Sequence, residues 1–171
     1  MKKHILLLVV AVLLSAVSAC KKDKIEQTNP ITWEFNNGTL TISGKGAMPD
    51  GYYDCYAFAG GLIAPWYYYR DSIHTVIIET GITTIGSVAF NGCSSLPSIT
   101  IPGSVTSIGY MAFSGCTSLT SITNLNPVPV EIDSDVFQHV NQSKCTLKVP
   151  MSSVSAYQNA EVWKDFNVVG L

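Results

Sequence analysis

Five cysteines, three histidines and one short run of alternating acids are the side chains here whose chemistry goes beyond packing. Cys93 and Cys116 stand 23 residues apart in matching surroundings, FNGCSSL and FSGCTSL. If the two copies stack as neighbouring strands, the two Cα atoms lie about 4.8 Å apart, which is within the usual Cα separation of a disulfide. An inward cysteine in such a ladder behaves as a small hydrophobe, so free buried thiols are expected. Cys55 and Cys145 have no evident partner. No CxxC pair or Cys/His cluster has zinc spacing. His74 and His139 each lack a second ligand at metal spacing and are expected in solvent, His74 at a strand edge and His139 in a polar turn. Glu131, Asp133 and Asp135 alternate in VEIDSDVF. Carboxylates suit calcium, but this alternation reads first as the solvent side of an irregular turn. No GxSxG or other nucleophile motif occurs. The expectation is no metal, no cofactor and no enzyme.

Aromatic rings are the other candidates for recognition. Eight of the seventeen rings fall between Tyr52 and Tyr69, too many for one short stretch to bury. Asp50, Gly51, Gly60, Gly61 and Pro65 punctuate this stretch as a loop. Trp66 and Tyr67 are expected to plug the N-terminal end of the core. Tyr52, Tyr53, Tyr56 and Phe58, in YYDCYAF, are the candidate ligand-binding residues, with His74 and Ile77 on the adjoining sheet edge. Exposed rings serve as anchors for proteins or as stacking platforms for sugars.

The elements that position these residues come from a repeat. Ile85, Phe90, Cys93, Leu96 and Ile99 recur 23 residues later as Ile108, Phe113, Cys116, Leu119 and Ile122. A fixed period in the twenties marks a solenoid, each copy one rung with its apolar side inward. Leu96, Ile99 and Ile101 alternate with Ser98 and Thr100, as a half-buried strand requires, and Pro102 ends the strand. Gly109 is expected to take a backbone conformation that a side chain would resist. Weaker copies place four main parallel strands near Thr75–Ile78, Ser98–Ile101, Ser121–Thr123 and Thr146–Val149. Their outward residues are mostly small and polar. They offer about 200–300 Å², against roughly 800 Å² per partner in a standard interface. The stretch ITWEFNNGTLTISG reads as a hairpin turning at Asn36–Gly38, and Val154, Tyr157 and Trp163 cover the last rung around a helix ending near Ala160.

The N-terminus reads as a targeting signal. Lys2 and Lys3 precede ten apolar residues, Ile5–Leu14, too few to span a bilayer. LSAVSAC resembles a bacterial lipobox, which implies cleavage before Cys20 and lipidation of that residue. Residues 1–19 are then the signal peptide, 20–30 a lipidated polar tether and 31–171 the folded domain. An ordinary secretory signal cut near Ala19 is the plainer alternative. Lys21 follows the cysteine where an inner-membrane sorting rule wants aspartate, which points to the outer membrane, with the exposed side open. From residue 31 onward five Lys and Arg face ten Asp and Glu, and a net charge of about −5 disfavours nucleic acid.

IGSVAFNGCSSLPSITIPGSVTSIG resembles the BspA-type leucine-rich repeat, while GTLTISGKGAMPD, APWYYYR and TLKVPMSSVSAYQNAEVWKDF are similar to that family's two caps. The resemblance implies a leucine-rich-repeat solenoid, a right-handed, β-rich β/α superhelix with a short curved parallel sheet of about four rungs. Its caps would be a β-hairpin over 31–71 and a helix over 151–171, with repeats over 72–150. It also implies a bacterial cell-surface protein without catalytic residues, in a family linked to adhesion and host-matrix binding. The expected function is an envelope-anchored binding or adhesion module that meets the membrane through Cys20 and a protein partner through its rings. The alternatives are a carbohydrate-binding accessory lipoprotein and a purely structural envelope protein.

Overall fold

The computed structural model describes residues 31–53 and 62–171. Cys20, Cys55, Tyr56 and Phe58 lie outside the described residues. In chain order the strands are β1 (Thr32–Asn36), β2 (Thr39–Ser43), β3 (Gly46–Ala47), β4 (Tyr52–Tyr53), β5 (Leu62–Ile63), β6 (Thr75–Ile78), β7 (Ile82–Ile85), β8 (Ser98–Ile101), β9 (Ser107–Ile108), β10 (Ser121–Asn124) and β11 (Thr146–Val149). The helix α1 (Val154–Asn159) and a last strand, β12 (Asn167–Gly170), close the chain.

β1 and β2 form the expected hairpin, with Asn37 (φ 47°) and Gly38 (φ 80°) at the turn. Both residue types tolerate positive φ. β2 then lies parallel to β6, Leu40 opposite Val76 and Ile42 opposite Ile78. β8, β10, β11 and β12 form a second parallel ladder in which Ile99, Ile122, Leu147 and Val168 share one register. β6 and β8 lie side by side without joining the two ladders. The four strands expected from the repeat are all present. The stack nonetheless runs further, with β2 before them and β12 after. β12 (NVVG) carries none of the repeat signature, so only its pairing with β11 reveals it.

Each turn of the chain has two further sides. β3, β7 and β9 form a narrow parallel sheet, with Ile85 opposite Ile108. The third side is a run of turns hydrogen-bonded from one repeat to the next. Phe90 N–H donates to Ala112 O (2.8 Å), and Phe113 N–H to Val136 O (2.9 Å). This registration stacks the rings. Phe90 and Phe113 are parallel at 5.3 Å, and Phe113 and Phe137 at 5.2 Å. All three are buried, as are Leu96, Leu119, Cys93 and Cys116. A fully buried side chain of this size contributes about 1.5–3 kcal/mol, so the ring and aliphatic columns carry the fold.

Two glycine positions explain the repeat's shape. Gly109 is not left-handed, contrary to the conformational reading. A Cβ there would sit 2.6 Å from Ser87 N in the preceding repeat, so the residue is small to allow close approach. Gly92 and Gly115 do have positive φ (73° and 76°), and His139 takes the equivalent place in the next turn at φ 67°. That turn is stretched by one residue and irregular. Asn124 fills the inward position matching Ile101 and is fully buried. Its Oδ1 accepts from Asn126 N–H (3.1 Å) and Asn126 Nδ2 (3.2 Å), and Asn126 Nδ2 also donates to Val105 O (2.9 Å). These amides satisfy backbone groups where Pro127 and Pro129 interrupt the strand pattern.

Candidate functional site

At the N-terminal end the ring column finishes on Trp66, stacked 6.1 Å from Phe90 and almost fully buried. Its Nε1 donates to Ala89 O (2.6 Å), which fixes the indole. Trp66 thus plugs the core as expected, while Tyr67 is only half-buried. Tyr67–Ser72 is a 3₁₀ helix that ends two residues before β6. Arg70 lies over the Tyr67 ring at 4.1 Å and pairs loosely with Asp71 (3.8 Å).

Further rings gather outside this plug. Trp33 and Phe35 alternate with Glu34 along β1, the outermost strand, so both share the face of buried Leu40 and Ile42. Trp33 meets Trp66 edge-on (6.0 Å) and Tyr69 at 6.3 Å, and Phe35 stacks on Tyr69 at 4.6 Å. Trp33 remains 39% exposed, Tyr69 43% and Tyr68 67%. The sequence pattern places Trp33 on an apolar face and gives Tyr68 and Tyr69 no role.

The predicted site residues fall in two places. Tyr52 and Tyr53 form β4, paired antiparallel with β5. The root of that hairpin is tied beyond the end of β7, where Gly51 N–H donates to Ser87 O (3.0 Å) and Asp50 Oδ1 accepts from Ser87 N–H (2.6 Å). His74 and Ile77 lie instead at β6. His74 is exposed, with Nδ1 donating to Ser72 O (2.7 Å), and Ile77 stands on the outer sheet face opposite Thr41. Elsewhere that face shows mainly Ser and Thr, as expected.

A concavity at the opposite end has no sequence signal beyond the PVPV interruption. It is a groove of about 720 Å³ between Pro129–Asp133 and the segment Ala156–Trp163. Val130, Ile132, Ala160 and Trp163 line it together with Glu131, Asp133 and Glu161. Glu161 is engaged by Lys164 Nζ (2.7 Å). Among the described residues no group of three or more His, Cys, Asp or Glu is placed to hold a metal ion. Cys93, Cys116 and Cys145 are free and buried. Burial pushes the Cys145 thiol up to about 11 and the Cys116 thiol up to about 12, the latter opposed by a backbone hydrogen bond from Cys93. Cys93 is raised further, by burial and then by Cys116 beside it. Such thiols are poor nucleophiles at neutral pH.

Stacked rings, matched aliphatic columns and repeat-to-repeat turns extend through the segment that matches the BspA type leucine rich repeat region, in six copies over residues 63–163. The chain belongs to that family. A solved leucine-rich repeat protein from Eubacterium ventriosum is similar, at 31% identity with a TM-score of 0.50. The match covers 73% of this chain and 37% of that one, so this chain spans well under half of the solved protein's length. No curated protein matches the chain. A BspA-type repeat region is at the coarse level a protein–protein interaction module, typically without catalysis.

Proposed function

We propose that this chain is an exported, lipid-anchored binding module of the bacterial outer membrane, held by Cys20 and engaging a protein partner without catalysis. In this reading the repeats form a short right-handed solenoid, capped by the β1–β2 hairpin at one end and the α1 segment at the other. One observation carries it. The regular sheet face exposes chiefly Ser and Thr, whereas large side chains stand exposed at Trp33, Tyr68 and Tyr69 before the repeats and at Val128 in the PVPV interruption, joined within the repeats by Ile77 and Tyr110. Protein contacts concentrate binding in such apolar and aromatic anchors, and the flat hydroxyl face alone is too small to hold a partner. In this reading the Tyr52–Phe58 segment is a further source of anchors by its composition, with His74 and Ile77 on the sheet.

Protein and glycan arrays probed with the chain test this directly. A protein ligand is expected, and replacing Tyr52, Tyr53 and Tyr56 together by Ala should abolish its binding with little change in melting temperature. A large stability loss would mean those rings belong to the core and not to the site. Half-exposed rings such as Tyr69 favour a glycan as the second reading. Retention on glycans alone would select it, and retention on neither would favour the purely structural role.

A further inference from the structure

We infer that the N-terminal end face is a membrane-docking surface, with Trp33, Tyr68 and Tyr69 seated at the headgroup level of the lipid bilayer that carries the anchor. The inference rests on lipidation of Cys20 as proposed above. Trp66 already closes the ring column, being almost fully buried and hydrogen-bonded to Ala89 O. Trp33, Tyr68 and Tyr69 are surplus to that closure and are 39%, 67% and 43% exposed. Trp and Tyr have an apolar body and a polar tip, the combination enriched where lipid meets water.

Chain length selects this end. Ten residues separate Cys20 from Ile31, where β1 is about to begin. They reach at most about 36 Å. The stack from β1 to β12 has seven strands, roughly 29 Å deep at 4.8 Å per step. Seating the opposite end on the bilayer would take about four-fifths of the tether's full reach, whereas the β1 end needs almost none of its length. Lys21, Lys22 and Lys24 precede Ile31 by no more than ten residues in the sequence and favour anionic headgroups. Glu34 points to the opposite face of β1 from Trp33, and Asp71 lies 3.8 Å from Arg70. Ring insertion should outlast added salt, which screens only the lysines.

The chain reports on its own docking. Of its three tryptophans, Trp66 and Trp163 are buried, so Trp33 is the one within reach of a quencher in the lipid. The experiment takes the lipidated full chain in phosphatidylcholine–phosphatidylglycerol vesicles, with and without brominated acyl chains. Brominated lipid should quench the Trp33 component, raised salt should leave the quenching in place, and Trp33→Phe should remove it without changing flotation. Unquenched emission from chains that float with the vesicles overturns the docking while the anchor stands, and leaves the rings for a protein partner. Quenching lost at high salt overturns ring insertion in favour of the lysines. Failure to float overturns the anchor and the docking with it.

Discussion

The ring column ends in two different ways. At the C-terminal end Phe137 meets Trp163 and Phe166 edge-on at 5.5 and 5.0 Å, and Trp163 and Tyr157 are fully buried. Every polar tip there is matched. Trp163 Nε1 donates to Val130 O (2.8 Å), and the Tyr157 hydroxyl donates to Asn126 O (3.1 Å). At the N-terminal end Trp66 does the same work with the same kind of bond, yet four more rings, Trp33, Phe35, Tyr68 and Tyr69, lie outside it, partly in water. Sealing a stack requires covering the last ring and pairing its polar atom, and both ends meet that requirement. Only one end goes on to display aromatic surface. The difference separates rings that hold the fold from rings available to something beyond it.

The largest expected effect tests that separation. Trp163→Ala should cost about 3–5 kcal/mol, as deletion of a buried aromatic does, and Trp33→Ala no more than about half as much. Urea denaturation midpoints of the two variants check it, and equal losses would place Trp33 in the core.

Alkali should attack the C-terminal end next. Burial pushes the Tyr157 hydroxyl up from 10 to about 12, with the nearby Asn124 side chain opposing the rise. Asn124 Nδ2 completes no hydrogen bond of its own among the described residues, so the opposing contact is electrostatic and not a formed bond. An acid raised on folding contributes stability that is complete below the unfolded value and disappears as pH climbs through the folded one. Stability should therefore fall between pH 10 and about 12, with Cys145 and Cys116 adding losses of the same sign from about pH 9. Tyr157→Phe should flatten the part above pH 10, measured as melting temperature against pH.

The smallest effect lies between the two ends. His139 holds a left-handed conformation that glycine holds in the two preceding repeats. Its replacement by Gly should stabilise the chain by about 1 kcal/mol, and Gly115→Ala should destabilise it by a similar amount. Calorimetry of the pair would show whether the stretched turn obeys the geometry of the regular ones.

Much of the fold is legible in the residues alone. The 23-residue offset between Phe90 and Phe113, or Leu96 and Leu119, states which side chains must stack, and the alternation through Ser98–Ile101 states which face inward. β12 is hidden because a strand of Asn, Val, Val and Gly is recognisable only from its pairing with β11. The reason for Gly109 is hidden because close approach to Ser87 depends on how repeats stack, not on Gly109's own neighbours in sequence. The site is less legible than the fold. Exposure of Trp33 and Tyr69 is set by what covers the end of a stack, which no local pattern encodes. The groove beside Trp163 arises where Pro127 and Pro129 force the chain out of register. Tyr56 and Phe58 lie outside the described residues, so the Tyr52–Phe58 segment is a candidate through its composition alone.

Acrylamide quenching of the three tryptophans in the soluble state tests the contrast between the ends most directly. One accessible indole and two protected ones are predicted, with the accessible component missing from Trp33→Phe and retained in Trp163→Phe. If the quenchable emission instead disappears with Trp163, or if all three indoles are shielded, the two ends are not the different structures described.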